Sequence, residues 1–165
     1  MKILYSLFAL SFLFMSCSTS RTIMVQQGNQ ENAIDVAPSN VQFLDNFTHV
    51  PADTKAAFLT KNKAESANYA MLFLTLGYKG EVVKVFTPTT TIYDGTTYTL
   101  KSNGIAGYMR VPNATDILIT DDYTQATALL EAKYLKEYKF VYIKKDNNNK
   151  KEPYTITYSN NLRPL

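Results

Sequence analysis

Residues 89–100 read Thr89-Thr90-Thr91-Ile92-Tyr93-Asp94-Gly95-Thr96-Thr97-Tyr98-Thr99-Leu100. Two β-branched and aromatic runs flank Asp-Gly, the pair that favours a type I′ turn because both of its central residues need positive φ. The pattern predicts a hairpin in which Tyr93 pairs with Thr96. Tyr93, Thr91, Thr89, Tyr98 and Leu100 then share one face, and Ile92 sits opposite Thr97 on the other. A slip of one residue would exchange these faces, so the turn also sets the register.

The same grammar extends outward in both directions. Upstream, residues 69–76 are almost continuously apolar, break at Gly77-Tyr78-Lys79-Gly80, and resume as Val82, Val83, Val85 and Phe86. This predicts a second hairpin, with a buried helix over 65–76 as the alternative, since an unbroken apolar run carries no period. Further upstream, Val41-Gln42-Phe43 predicts a short strand, and Asp53 or Thr54 caps a short helix bearing Ala56, Ala57, Phe58 and Leu59. Downstream, residues 107–111 and 116–120 predict strands separated by Pro112-Asn113. Tyr123, Ala126, Leu130, Tyr134 and Tyr138 then fall on one stripe of a helix over 122–138, with Asp122 as N-cap, Gln125 at N3 and Lys133–Glu137 as an i,i+4 pair. Residues 139–144 and 154–158 alternate as a terminal hairpin around Asn147-Asn148-Asn149, with Phe140 and Tyr142 on one face and Val141 and Ile143 on the other. The expected fold is α+β, a mainly antiparallel sheet built from hairpins with one or two helices; a β-sandwich is the alternative.

The amino-terminal part has a different character. Lys2 is followed by residues 3–15, apolar apart from Ser6 and Ser11, and then by small Ser16 before Cys17. That is the layout of a secretory signal peptide. As a helix the apolar run would cover about 20 Å against a hydrocarbon core of about 30 Å, too short for a permanent span. Phe14-Met15-Ser16-Cys17 resembles the lipobox of the bacterial lipoproteins, and the protein's single Cys stands where that family takes up diacylglycerol. The resemblance covers the leader alone. It implies cleavage before Cys17, three acyl chains on the new amino terminus, and anchoring to a membrane without spanning it. Several chains make release negligible, at about 0.8 kcal/mol per buried methylene. Ser18 stands where the family's inner-membrane proteins carry Asp, which implies a cell-envelope location at the outer membrane, facing the periplasm. Residues 17–40, rich in Ser, Thr, Gln and Asn, read as the lipidated Cys and a flexible tether of about 20 residues, typically spanning roughly 25 Å, with an edge strand at either apolar island, 23–25 or 34–36, as the alternative. Residues 41–158 then form the single globular domain, and 159–165 a loose tail.

Composition removes much chemistry. One Cys and one His among 165 residues exclude disulfide frameworks, multi-thiolate metal sites and paired-imidazole sites. A formal charge of +3, scattered along the chain, is no footprint for nucleic acid. There is no nucleophile elbow, phosphate loop or metal motif, so no catalytic residue, metal ligand or cofactor is assigned. His49, in Phe47-Thr48-His49-Val50-Pro51, lacks partners for catalysis. Asp121-Asp122, the one adjacent acidic pair that matters for a hydrolase, sits where a helix cap is expected. Asp116 could join Asp121 at a common edge. The binding candidates are Tyr93 and Tyr98, as an aromatic pair, and Lys144, Lys145, Lys150 and Lys151, as a basic knob around the Asn tip. The expectation is a lipid-anchored, non-catalytic domain that binds another protein of an envelope assembly. A glycan module using exposed Tyr is the alternative, and a carboxylate-dependent hydrolase the third reading.

Overall fold

A computed structural model describes residues 21–27 and 30–165, so the leader, Cys17 and Ser18 lie outside the described residues. Eleven strands and two helices are described: β1 (Arg21–Gln27), β2 (Gln30–Val36), β3 (Ser39–Phe43), α1 (Ala52–Lys61), β4 (Tyr69–Leu74), β5 (Lys79–Phe86), β6 (Thr91–Tyr98), β7 (Gly107–Pro112), β8 (Ile117–Asp121), β9 (Thr127–Leu130), α2 (Ala132–Glu137), β10 (Phe140–Lys145) and β11 (Tyr154–Ser159). The fold is α+β and dominated by sheet.

Two sheets face each other. One has the order β3-β11-β10-β4-β7 and the other β6-β5-β8-β9. All neighbours are antiparallel except β10 with β4 and β11 with β3, which are parallel. The core between the sheets takes Ala70, Leu72 and Leu74 from β4, Val141 and Ile143 from β10 and Ile156 from β11. Val83, Val85, Ile117, Ile119, Ala128 and Leu130 face them from the smaller sheet. A second core lies on the other face of the five-stranded sheet, where Met71, Phe73, Phe140 and Tyr142 pack under Phe58 and Leu59 of α1. The apolar run of β4 is thereby explained: a strand buried on both faces shows no alternation.

That double burial also overturns the expected hairpin over 69–86. β4 and β5 belong to different sheets, and the Gly77–Gly80 segment crosses between them. Gly77 has φ +97°, and a Cβ there would stand 2.0 Å from the Lys145 carbonyl oxygen, so the crossing passes tightly beneath the end of β10. Asp94-Gly95 is likewise no turn. It lies within the continuous strand β6, opposite Lys84 and Val83. The hairpin turn is Thr87-Pro88-Thr89-Thr90, where Thr87 N–H donates to Thr90 O at 2.8 Å and Thr87 Oγ1 accepts from Thr90 N–H at 2.9 Å. Residues 82–86 offer β6 an apolar partner that the Thr-rich run 96–100 cannot match, and burial overrides the turn propensity.

The expected helix over 122–138 shrinks to α2. Residues 127–130 instead complete the smaller sheet against β8, with Ala128 and Leu130 in the core, and Tyr123 of the predicted stripe is 82% exposed. Gln125 adopts positive φ and bonds Asp122 O through Nε2, while Lys133 pairs with Glu131 rather than Glu137. Asp116, distant in sequence, accepts the Ala132 N–H at the start of α2. Pro51, rather than Asp53 or Thr54, occupies the cap position of α1.

Two segments expected to be loose are packed. Within 17–40, β1 and β2 form an antiparallel pair on the outer face of the smaller sheet, where Val25, Ile23 and Ile34 cover Phe86, Leu118 and Leu129. In the tail, Leu162 is buried in the second core, and Arg163 N–H donates to the Tyr142 hydroxyl at 2.8 Å. The strands 39–43, 107–112, 117–121, 140–145 and 154–159 and the helix 52–61 match the expected elements closely.

Candidate functional site

Period two along β10 puts Lys145 on the same face as Val141 and Ile143, inside the core rather than on a basic knob. Its side chain is fully buried. The ammonium is neutralised from the opposite sheet: it bonds Glu81 Oε1 of β5 and lies 3.0 Å from Asp121 Oδ2 of β8. Both carboxylates are buried as well.

The surrounding groups fix this triad. Asp121 Oδ1 accepts from the Tyr123 and Thr124 N–H groups at 3.1 and 2.8 Å, and Oδ2 accepts the Thr124 hydroxyl at 2.5 Å and the Tyr154 hydroxyl at 3.0 Å. Burial opposes the charge on Asp121, but the bonds from Thr124 and Lys145 outweigh it and hold the carboxyl below its ordinary range. Glu81 behaves alike: burial raises it, and Lys145 with the backbone N–H of Lys79 brings it down on balance. The Tyr78 ring lies near Lys145, and its buried hydroxyl has no partner among the described residues. Burial first, then the charges of Asp121 and Glu81, push the Tyr78 hydroxyl upward, and burial followed by the Asp121 charge does the same for Tyr154, so both stay protonated. Two convergent carboxylates are thus present, but they converge on an ammonium and remain ionised. Neither is placed to donate a proton to a glycosidic oxygen.

Above the triad opens a cleft of about 690 Å³, lined by Lys79, Gly80, Glu81, Asp122, Tyr123, Asn147 and Asn148. The triad shapes its walls. The Asp121 carboxylate holds the turn that carries Tyr123, Asp122 and Val82 exchange two hydrogen bonds, and Asn147 Nδ2 donates to Gly77 O at 2.7 Å. Gly80 has φ +114° at a bulge in β5, and the ring of Tyr98 lies so close that a Cβ would meet it at 2.5 Å. Tyr98 is 59% exposed and packs on Gly80, one of the lining residues, without lining the cleft itself.

The predicted binding residues do not act together. Tyr93 and Tyr98 lie five residues apart on an unbroken stretch of β6 and therefore on opposite faces, which corrects the expected aromatic pair. Tyr93 is half-buried against the core and bonds Thr96 O through its hydroxyl at 3.3 Å. Lys144, on the other face of β10 from Lys145, lines a depression with Asn40, Thr155 and Arg163. Lys150 and Lys151 are exposed in the β10–β11 loop, near the cleft residues Asn147 and Asn148 in sequence. Tyr123 falls on the stripe of the expected helix, which hides its place at the cleft, whereas the core position of Lys145 follows from its period with Val141 and Ile143. His49 is exposed beside Asp45 and Phe47. Among the described residues no cluster of His, Cys, Asp and Glu could hold a metal, and no helix is long and apolar enough to cross a membrane.

A second exposed feature lies at the far edge of the larger sheet. β3 has no strand on its outer side among the described residues. Its sequence Ser39-Asn40-Val41-Gln42-Phe43 contains no charge and no Pro, and Val41 and Phe43 are 42% and 46% exposed, with Leu44 following. Phe43 packs within 5.0–5.7 Å of Tyr134, Tyr138 and Tyr158, which stiffens the edge. No family model, curated protein or solved structure matches this chain.

Proposed function

We propose that the protein is a lipid-anchored envelope lipoprotein whose domain binds a partner protein without catalysing a reaction, as an accessory subunit of an envelope assembly at the outer membrane. The observation that carries the partner is the β3 edge. Exposed edges are ordinarily blunted by Lys, Pro, bulges or a covering element, whereas β3 presents an uncharged strand with exposed Val41 and Phe43. An extended segment of a partner adds to such an edge by backbone hydrogen bonds and seats alternate side chains beside Val41 and Phe43.

The anchor follows from Phe14-Met15-Ser16-Cys17. Only Ser18, Thr19 and Ser20 separate Cys17 from β1. Four residues of chain reach at most about 14 Å, so an acylated Cys17 holds the domain against the bilayer rather than on a long leash. Fatty-acid labelling of wild type and Cys17→Ser tests the anchor: label on wild type alone supports it, and equal labelling contradicts it. Co-purification from cross-linked cells tests the partner. A discrete protein recovered with wild type and lost with Val41→Lys supports the β3 reading; equal recovery with both contradicts it.

A further inference from the structure

We propose that the cleft above the Lys145 triad is a binding site for an uncharged oligosaccharide, distinct from the β3 edge and independent of any protein bound there. Its volume falls within the about 300–1,000 Å³ of small-ligand pockets. Its walls are held before any ligand arrives. The buried Asp121 carboxylate pins the turn bearing Tyr123, and the bulge at Gly80 seats the Tyr98 ring. The result is an 82% exposed Tyr123 ring in the cleft wall and a 59% exposed Tyr98 ring packed on the lining residue Gly80. Neither exposure is explained by packing, and an aromatic ring in water beside a polar cleft offers an apolar face to the C–H surface of a sugar.

The polar groups select the class of ligand. Asp122 spends one carboxylate oxygen on Val82 N–H and keeps the other as an acceptor; Asn147 spends its amide N–H on Gly77 O and keeps its carbonyl. Lys79 forms no ion pair among the described residues and supplies a donor. Acceptors and a donor, close together and of mixed sign, suit hydroxyl groups. The triad beneath holds two carboxylates against one ammonium, so the floor is acidic on balance and repels phosphate and polyanions. A purely apolar ligand would leave Asp122 and Lys79 desolvated without partners, which is costly.

Calorimetric titration of the full-length protein in detergent with cellotetraose and chitotetraose tests the proposal, with dextran sulfate as the polyanion. The expected result is saturable binding of at least one tetrasaccharide, no competition by dextran sulfate, and affinity weakened about tenfold or more in Tyr123→Ala. Tyr123 is exposed, so the variant keeps the wild-type melting temperature. Gly80→Ala, which displaces the Tyr98 ring, weakens binding as well. Failure of both sugars to bind at millimolar concentration, or wild-type affinity in Tyr123→Ala, overturns the proposal. Loss of Val41→Lys co-purification without any change in sugar binding keeps the two sites separate.

Discussion

Replacing Lys145 with Met removes the one positive charge between Glu81 and Asp121 while keeping most of the side-chain volume. Two buried carboxylates then face each other without a counter-ion, and the Glu81 oxygen and Asp121 Oδ2 each lose a donor. Breaking a buried pair by removing one partner costs about 3–5 kcal/mol. For a domain of this size that corresponds to a melting temperature lower by roughly 10–20 °C. Urea unfolding followed by circular dichroism measures it, and the pH dependence identifies the cause. In wild type both carboxyls are held below their unfolded values, so their contribution is complete above about pH 4, where unfolded carboxylates titrate, and is lost as pH falls through the folded values. In Lys145→Met the sign reverses: an unpaired buried carboxylate has its pKa raised, so lowering the pH from 7 to 5 narrows the gap to wild type. A variant within 1 kcal/mol of wild type at neutral pH, or a gap that does not change with pH, refutes the assignment of the triad as a mutually neutralising lock between the sheets; the 1 kcal/mol threshold is roughly the scale of an exposed ion pair.

Three further outcomes follow from the packing. Gly77→Ala, with its Cβ directed at the Lys145 carbonyl and its φ at +97°, destabilises by about 2 kcal/mol or more, read as a lower urea midpoint. Val25→Asp places a charge against Phe86 and Leu118 and releases the β1–β2 hairpin, so limited proteolysis cuts within 21–36 in the variant and spares wild type; equal cutting of both would restore the tether reading. Leu162→Ala removes a buried side chain from the second core, costing about 2–5 kcal/mol; a change below 0.5 kcal/mol, the ordinary size of a surface effect, would show the tail to be loose.

The terminal hairpin was legible in the sequence: β11 alternates in burial, the Asn-tipped loop marks the turn, and period two separates Phe140–Tyr142 from Val141–Ile143 although both faces of β10 are buried. Topology was hidden where burial does not alternate. β4 is apolar throughout because α1 covers one face and the smaller sheet the other, so nothing local said that its neighbours are β7 and β10 rather than β5. Asp94-Gly95 carries a turn signal that lost to the apolar partner offered by β5. Without a turn at Asp94-Gly95, Tyr93 stays on the core face opposite Val85 while Tyr98, five residues on, takes the other face, so the expected aromatic pair does not form. Residues 21–36 carry only two short apolar islands, which left tether and edge strand both open; the strands form because the smaller sheet offers Phe86, Leu118 and Leu129 to Ile23, Val25 and Ile34. The cleft could not be read at all, because Lys79, Tyr123 and Asn147 meet only when the ends of β5, β8 and β10 are brought together.

The proposed function rests on a membrane-anchored domain offering the β3 edge to another protein. Site-specific photo-cross-linking in the native host tests it most directly, with the reactive side chain placed at exposed Asn40 on β3 and, for comparison, at exposed Tyr123 over the cleft. The expected result is one discrete protein adduct from position 40, found in the membrane fraction, and none of that mass from position 123. Absence of a protein adduct at position 40, or the same adducts from both positions, would contradict it.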